Sequence, residues 1–161
     1  MSEDDTVPPD RAKLEAQVAA HPFLFGISEH HVGLLADCAM RSHFGAGHVI
    51  FREDENANRF YLIEHGKVAL ESSTLGEPIK IEGIGDGDLL GWSWLFPPYA
   101  WHFTARALEH TTAIFFYGTV LREYCQKDNA LGFELFKRMS VVMLQRLQAA
   151  RQKLINVRQA R

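Results

Sequence analysis

The sequence predicts an α+β fold in which short antiparallel strands form a barrel, sandwich or jelly roll between N-terminal helices and a long C-terminal helix. Three observations predict it. Glycines recur at positions 45, 47, 66, 76, 83, 85, 87 and 91 with short apolar runs between them, the punctuation of strands joined by turns that need positive φ. Before this region, polar capping residues precede apolar residues at helical spacing. After Tyr117 the period turns helical again and ends in an apolar stripe at heptad spacing.

Composition narrows the class. A chain of 161 residues, 47% hydrophobic and 23% charged, fits one globular domain that needs no covalent staples. Two cysteines, Cys38 and Cys125, are too few for a cysteine-built zinc site or an iron–sulfur cluster with four cysteine ligands. The formal net charge of -3 argues against a surface that coats nucleic acid. No apolar run approaches membrane-spanning length, and the start Met1-Ser2-Glu3-Asp4-Asp5 is acidic where a signal peptide is basic. The expectation is a soluble, cytoplasmic protein with no membrane partner.

The elements follow in order. Pro8-Pro9 marks a polar lead-in over residues 1–20, where Asp10 caps a short helix carrying Leu14 and Val18 on one face. Ser28 caps a second helix with His31, Leu34, Leu35 and Cys38 at helical spacing. Strands are expected at Val49–Arg52, Phe60–Glu64, Lys67–Ser72, Ile79–Ile84, Phe103–Leu108 and Thr112–Tyr117. Glu64-His65-Gly66-Lys67 reads as a hairpin turn, and Gly85-Asp86-Gly87-Asp88 as a second turn. Thr119 caps a helix over Val120–Gln126, and Asn129 caps a longer one over about 129–157.

In that last helix Phe136, Met143, Leu147, Ala150, Leu154 and Val157 occupy heptad positions, with Ser140 the polar interruption. Alternating spacings of four and three describe a coiled-coil seam. The expectation is a homodimer through these residues, with Arg146, Gln148, Arg151, Gln152 and Lys153 facing solvent.

Five motifs then stand in register: His21-Pro22-Phe23-Leu24-Phe25, Phe44-Gly45-Ala46-Gly47-His48-Val49-Ile50, Phe60 through Val68, Gly87-Asp88-Leu89-Leu90-Gly91, and Phe103-Thr104-Ala105-Arg106-Ala107. In order and spacing they resemble the cyclic-nucleotide-binding domain of the catabolite-activator family of bacterial regulators, over roughly His21 to Val157. The resemblance implies an eight-stranded β-roll (a jelly roll, or double-stranded β-helix) over 21–161, a phosphate-binding cassette, and a long helix that dimerises and closes over the ligand. The ligand implied is a cyclic nucleotide, cAMP or cGMP.

Two departures from the family pattern shape the functional reading. The family's regulators continue into a helix-turn-helix domain, whereas this chain ends at Arg161, so DNA is not expected as a partner. The family's cassette places a glutamate after the glycine for the ribose hydroxyl and an arginine before the next strand for the phosphate. Here Trp92 stands for the glutamate, and the arginine's position falls on Ala100 or Trp101. A buried phosphodiester is costly unless a cation and donors meet it. The remaining candidates for ligand contact are Leu90, Gly91, Trp92, Ser93, Ala100, Trp101, His102 and Arg106, with backbone N–H groups near Trp92 and Ser93 as an anion nest. Asp54 stands where the family has glycine, and aspartate tolerates the left-handed region.

Two readings of the aromatic cassette stay open. Trp92, Trp94, Tyr99 and Trp101 either line a pocket for an apolar or aromatic ligand or collapse to fill the nucleotide's space. No nucleophile elbow or phosphate-binding P-loop is present, so no catalytic residue and no enzymatic activity are expected. His30 and His31 are adjacent on a helix and expected to diverge, and no metal site is expected. The function expected is a non-enzymatic small-molecule sensor acting through a protein partner. Its alternatives are a ligand-independent adaptor with a vestigial pocket and a cupin-like metalloprotein.

Overall fold

The computed structural model describes residues 9–160, so the acidic start and Pro8 lie outside the described residues. Helix α1 (Pro9–Ala20) leads through a 3-10 turn at Pro22–Leu24 into α2 (Glu29–Asp37). Eight strands follow: β1 (Ala39–Phe44), β2 (Val49–Phe51), β3 (Arg59–His65), β4 (Val68–Ser72), β5 (Ile79–Ile84), β6 (Leu89–Leu90), β7 (Thr104–Ala107) and β8 (Thr111–Tyr117). Helices α3 (Gly118–Lys127) and α4 (Asn129–Gln159) follow β8. The strands form two four-stranded sheets, in the orders β1-β8-β3-β6 and β2-β7-β4-β5, with antiparallel pairing throughout.

Burial explains which strands are readable. In β3, Phe60 and Leu62 face the helices while Tyr61 and Ile63 face the interior between the sheets. In β8, Ile114 and Phe116 face the helices while Ala113 and Phe115 face inward. A sheet covered on both faces requires continuous apolar runs, and Phe60–Ile63 and Ala113–Phe116 supply them. The helical side of this core holds Val18, Leu24, Leu35, Trp94, Leu121, Leu131, Leu135 and Met139, all but sealed from solvent. The other sheet turns Val68, Leu70, Ala105 and Phe51 inward and exposes Ile79 and Ile81.

Several local expectations need correction. Gly66 does adopt positive φ, but Glu64–Lys67 is not a hairpin, because β3 and β4 belong to different sheets. The turn is a corner of the roll, where a Cβ on Gly66 would lie 2.3 Å from Thr111 Oγ1. Asp10 lies within the first turn of α1 rather than capping it. Tyr117 precedes α3 and offers no side-chain cap, in place of Thr119. Asp128, not Asn129, caps α4 by accepting from the Leu131 N–H. Ser28 caps α2 as expected, accepting from the His31 N–H at 3.2 Å.

Helix α4 also divides differently from a uniform seam. Its first half packs on its own roll through Leu131, Leu135, Met139 and Val142. From Leu147 onward every described residue is exposed.

Candidate functional site

Between β6 and β7 the chain runs as a cassette held against the β2–β3 loop. The Asp54 N–H donates to Trp101 O, the Trp101 N–H to Glu55 O, and the Ala57 N–H to Tyr99 O. Asp54 takes φ 70°, the left-handed conformation that aspartate tolerates. Gly91 opens the cassette at φ +90°, and a Cβ there would lie 2.5 Å from the Trp101 ring. Only glycine allows both the turn and the close approach.

These constraints send the three tryptophans to different places. Trp101 stacks on Phe51 with centroids 3.7 Å apart and planes 9° apart. Trp94 turns the other way, fully buried against Phe60 on the helical side. Trp92 stays half-buried at the junction of roll and helix, beneath the Arg146 guanidinium at 5.0 Å. Tyr99 lies under Arg122 at 4.2 Å. The two readings of the aromatic cassette are therefore divided between residues: Trp92 and Trp101 line a cavity, and Trp94 fills the core.

That cavity has a volume of about 470 Å³ and lies between the roll and α4. Phe51, Leu70, Leu90, Trp101 and Phe103 form its roll side, and Met143, Leu144, Leu147 and Ala150 its helical side. Gly91, Trp92, Ser93 and His102 complete the cassette edge, and Ile81, Glu82 and Arg146 also line the cavity. Of the residues proposed for ligand contact, Leu90, Gly91, Trp92, Ser93, Trp101 and His102 line it. Two do not. Ala100 forms a backbone bridge with Asn56. Arg106 alternates with the inward Ala105 and Ala107, so it lies on the outer face, bound to Glu71 Oε1 at 3.2 Å and Gly47 O at 3.1 Å.

The seam and cavity residues coincide in part. Met143, Leu147 and Ala150 belong to both, whereas Phe136, Leu154 and Val157 stay exposed away from the cavity.

Arg146, expected in solvent, is instead largely buried. Its side chain is 14% exposed and pairs with Glu82 at 3.6 Å. It also donates to the Leu89 carbonyl. Burial draws its pKa below the ordinary value, opposed by Glu82 and Asp88, while the guanidinium stays charged. The buried stripe Leu131, Leu135, Met139, Val142 leads to Arg146 at helical spacing, and that period is the signal that locates it. Ser93 and the His102 Nδ1 lie 3.1 Å apart at the cassette edge.

Outside the cavity, the expectation that His30 and His31 diverge is overturned. Both rings converge on Asp128, with the three potential ligand atoms within 4.8 Å of one another. Burial pushes the Cys38 and Cys125 thiols up to about 12 and about 11, leaving them protonated and poor nucleophiles.

Comparison with known proteins agrees with this architecture. The model of the cyclic nucleotide-binding domain matches residues 41–128. Among solved structures, a candidate cyclic nucleotide-binding protein from Geobacter metallireducens GS-15 is 26% identical, with a TM-score of 0.72, covering 88% of this chain and 98% of that one. A cyclic nucleotide-binding domain from Methylobacillus flagellatus KT has a TM-score of 0.77 at 15% identity, covering 89% and 84%. The catabolite activator protein of Thermus thermophilus has a TM-score of 0.66 at 22% identity, covering 84% of this chain and 62% of that one. No curated protein sequence matches.

Proposed function

The chain belongs to the cyclic nucleotide-binding domain family, and from that premise we propose that it is a non-enzymatic regulatory module that senses a small, mainly apolar molecule. The observation that carries this reading is the lining of the cavity between the roll and α4. Phe51, Leu70, Leu90, Trp101, Met143 and Leu147 offer apolar contact. Arg146, the guanidinium at the cavity, is already engaged by Glu82 and Leu89. A cavity of this size suits a small organic ligand, and such walls reward apolar burial more than they compensate a phosphodiester.

The ligand acts through α4. Binding shifts the helix only insofar as it favours one helix position over another, and Met143, Leu147 and Ala150 are the residues that transmit the difference. The exposed stripe from Phe136 to Val157 pairs with its twin in a homodimer, and its members Met143, Leu147 and Ala150 also line the cavity. A net charge of -3 favours a protein rather than DNA as the receiver of the signal, and the free thiols Cys38 and Cys125 suit a cytoplasmic setting.

A second reading keeps cAMP or cGMP as ligand. Family membership and the position of Arg146 favour it: the guanidinium would leave Glu82 for the phosphate, joined by N–H groups of the cassette. Titration calorimetry with decanoate, cAMP and cGMP separates the two. Decanoate binding that weakens in I81W, where a larger side chain on the cavity lining takes up space, supports the apolar reading. Nucleotide binding without decanoate binding replaces it with the second, and no binding by any of them favours a ligand-independent adaptor.

A further inference from the structure

We propose that His30, His31 and Asp128 form a binding site for a divalent transition-metal ion of the zinc type, at the point where α2 meets the start of α4. The His31 Nε2 lies 3.1 Å and the His30 Nε2 3.6 Å from the same Asp128 Oδ2. Zinc bonds of about 2.0–2.2 Å in a tetrahedral arrangement place neighbouring ligand atoms about 3.3–3.5 Å apart, and the two observed distances straddle that separation. Two imidazoles and a carboxylate are ligands that zinc accepts readily. His30 is 73% exposed on its side chain, so the fourth position opens to water.

Helix capping alone does not account for the arrangement. Asp128 caps α4 through Oδ1, which accepts from the Leu131 N–H at 3.2 Å. Its Oδ2 would be satisfied by His31 alone, yet both rings turn toward it. The cluster is separate from the cavity, and an ion there ties α2 to the base of α4 whatever occupies the cavity.

The test is calorimetric titration of zinc chloride into the chelator-stripped full chain, for the wild type, H30Q and D128N. The His30 side chain is 73% exposed, so H30Q should keep the wild-type melting temperature in EDTA. Asparagine at 128 still caps α4 but gives up the carboxylate's contact with His31, so D128N is compared by zinc affinity alone. The expected result is one zinc ion per chain, with affinity falling at least about tenfold in each variant. Zinc should also raise the melting temperature of the wild type and not that of H30Q. Absence of saturable zinc binding by the wild type, or wild-type affinity in either variant, overturns the proposal.

Discussion

The Arg146 guanidinium lies 5.0 Å above the Trp92 ring, joining the middle of α4 to the cassette that follows β6. The same side chain reaches Glu82 on β5 and Leu89 on β6. One residue of the long helix thereby holds both sheets, and any displacement of α4 must break or remake these contacts.

Arg146→Ala should therefore destabilise the fold by about 2–3 kcal/mol, since it removes a buried charge-assisted hydrogen bond and leaves Glu82 without its partner. Urea denaturation measures this. A loss below about 0.5 kcal/mol, the range of ordinary surface substitutions, would mean that the contact does not hold the helix to the roll.

Gly91→Ala should cost about 1–3 kcal/mol from backbone strain alone and should also displace Trp101. Gly47 makes a suitable control: it has φ +86°, but nothing lies within 4 Å of an added Cβ. Gly47→Ala should thus cost less and leave tryptophan fluorescence unchanged. Equal costs and unchanged spectra in both variants would contradict the close packing of Trp101 on Gly91.

His21 makes stability depend on pH. The Nε2–H donates to Ile63 O at 2.9 Å, and Nδ1 accepts from the Phe23 N–H at 3.2 Å. Burial is the largest influence and lowers its pKa, against a raising hydrogen bond to Ile63. The unfolded chain therefore takes up a proton near pH 6.5 that the folded chain refuses until lower pH. Stability from this group is present above pH 6.5 and falls as pH drops below it, by up to about 1.4 kcal/mol per pH unit. His21→Gln keeps a hydrogen-bond donor and an acceptor without titrating. Its unfolding free energy should fall less between pH 7 and pH 5, and an identical fall would show that His21 is not the group responsible.

Replacing Leu147 and Leu154 together with glutamate should yield monomers by sedimentation equilibrium, because both stand on the exposed apolar stripe of α4. Like charges facing each other across a helix pair oppose association. An unchanged mass would remove these residues from the interface.

Strand legibility followed burial. Phe60–Ile63 and Ala113–Phe116 are buried on both faces, so their runs stand out in the sequence. β1 does not stand out, because Arg41, Ser42 and His43 interrupt it and its exposure follows no strict alternation. β6 is two residues long, too short for any period to register. At the cavity, the cassette edge is legible because Gly91, Trp92 and Trp101 are unusual side chains at a recognisable turn. Arg146 is not, because a charged residue beside a polar helical flank reads as solvent-facing unless the period of Leu135, Met139 and Val142 is followed to its end. The same kind of three-dimensional meeting brings His30 and His31 to Asp128, nearly a hundred residues away.

The most direct test of the apolar-ligand reading is the melting temperature of the full chain with saturating decanoate, beside cAMP and cGMP at the same concentration. A ligand at one hundred times its dissociation constant adds about 2.7 kcal/mol, which for a chain of this size raises the melting temperature by several degrees. That rise is expected with decanoate, reduced in I81W, and without a comparable rise with either nucleotide. A rise with cAMP or cGMP and none with decanoate would contradict the apolar-ligand reading, and would place the phosphate with Arg146.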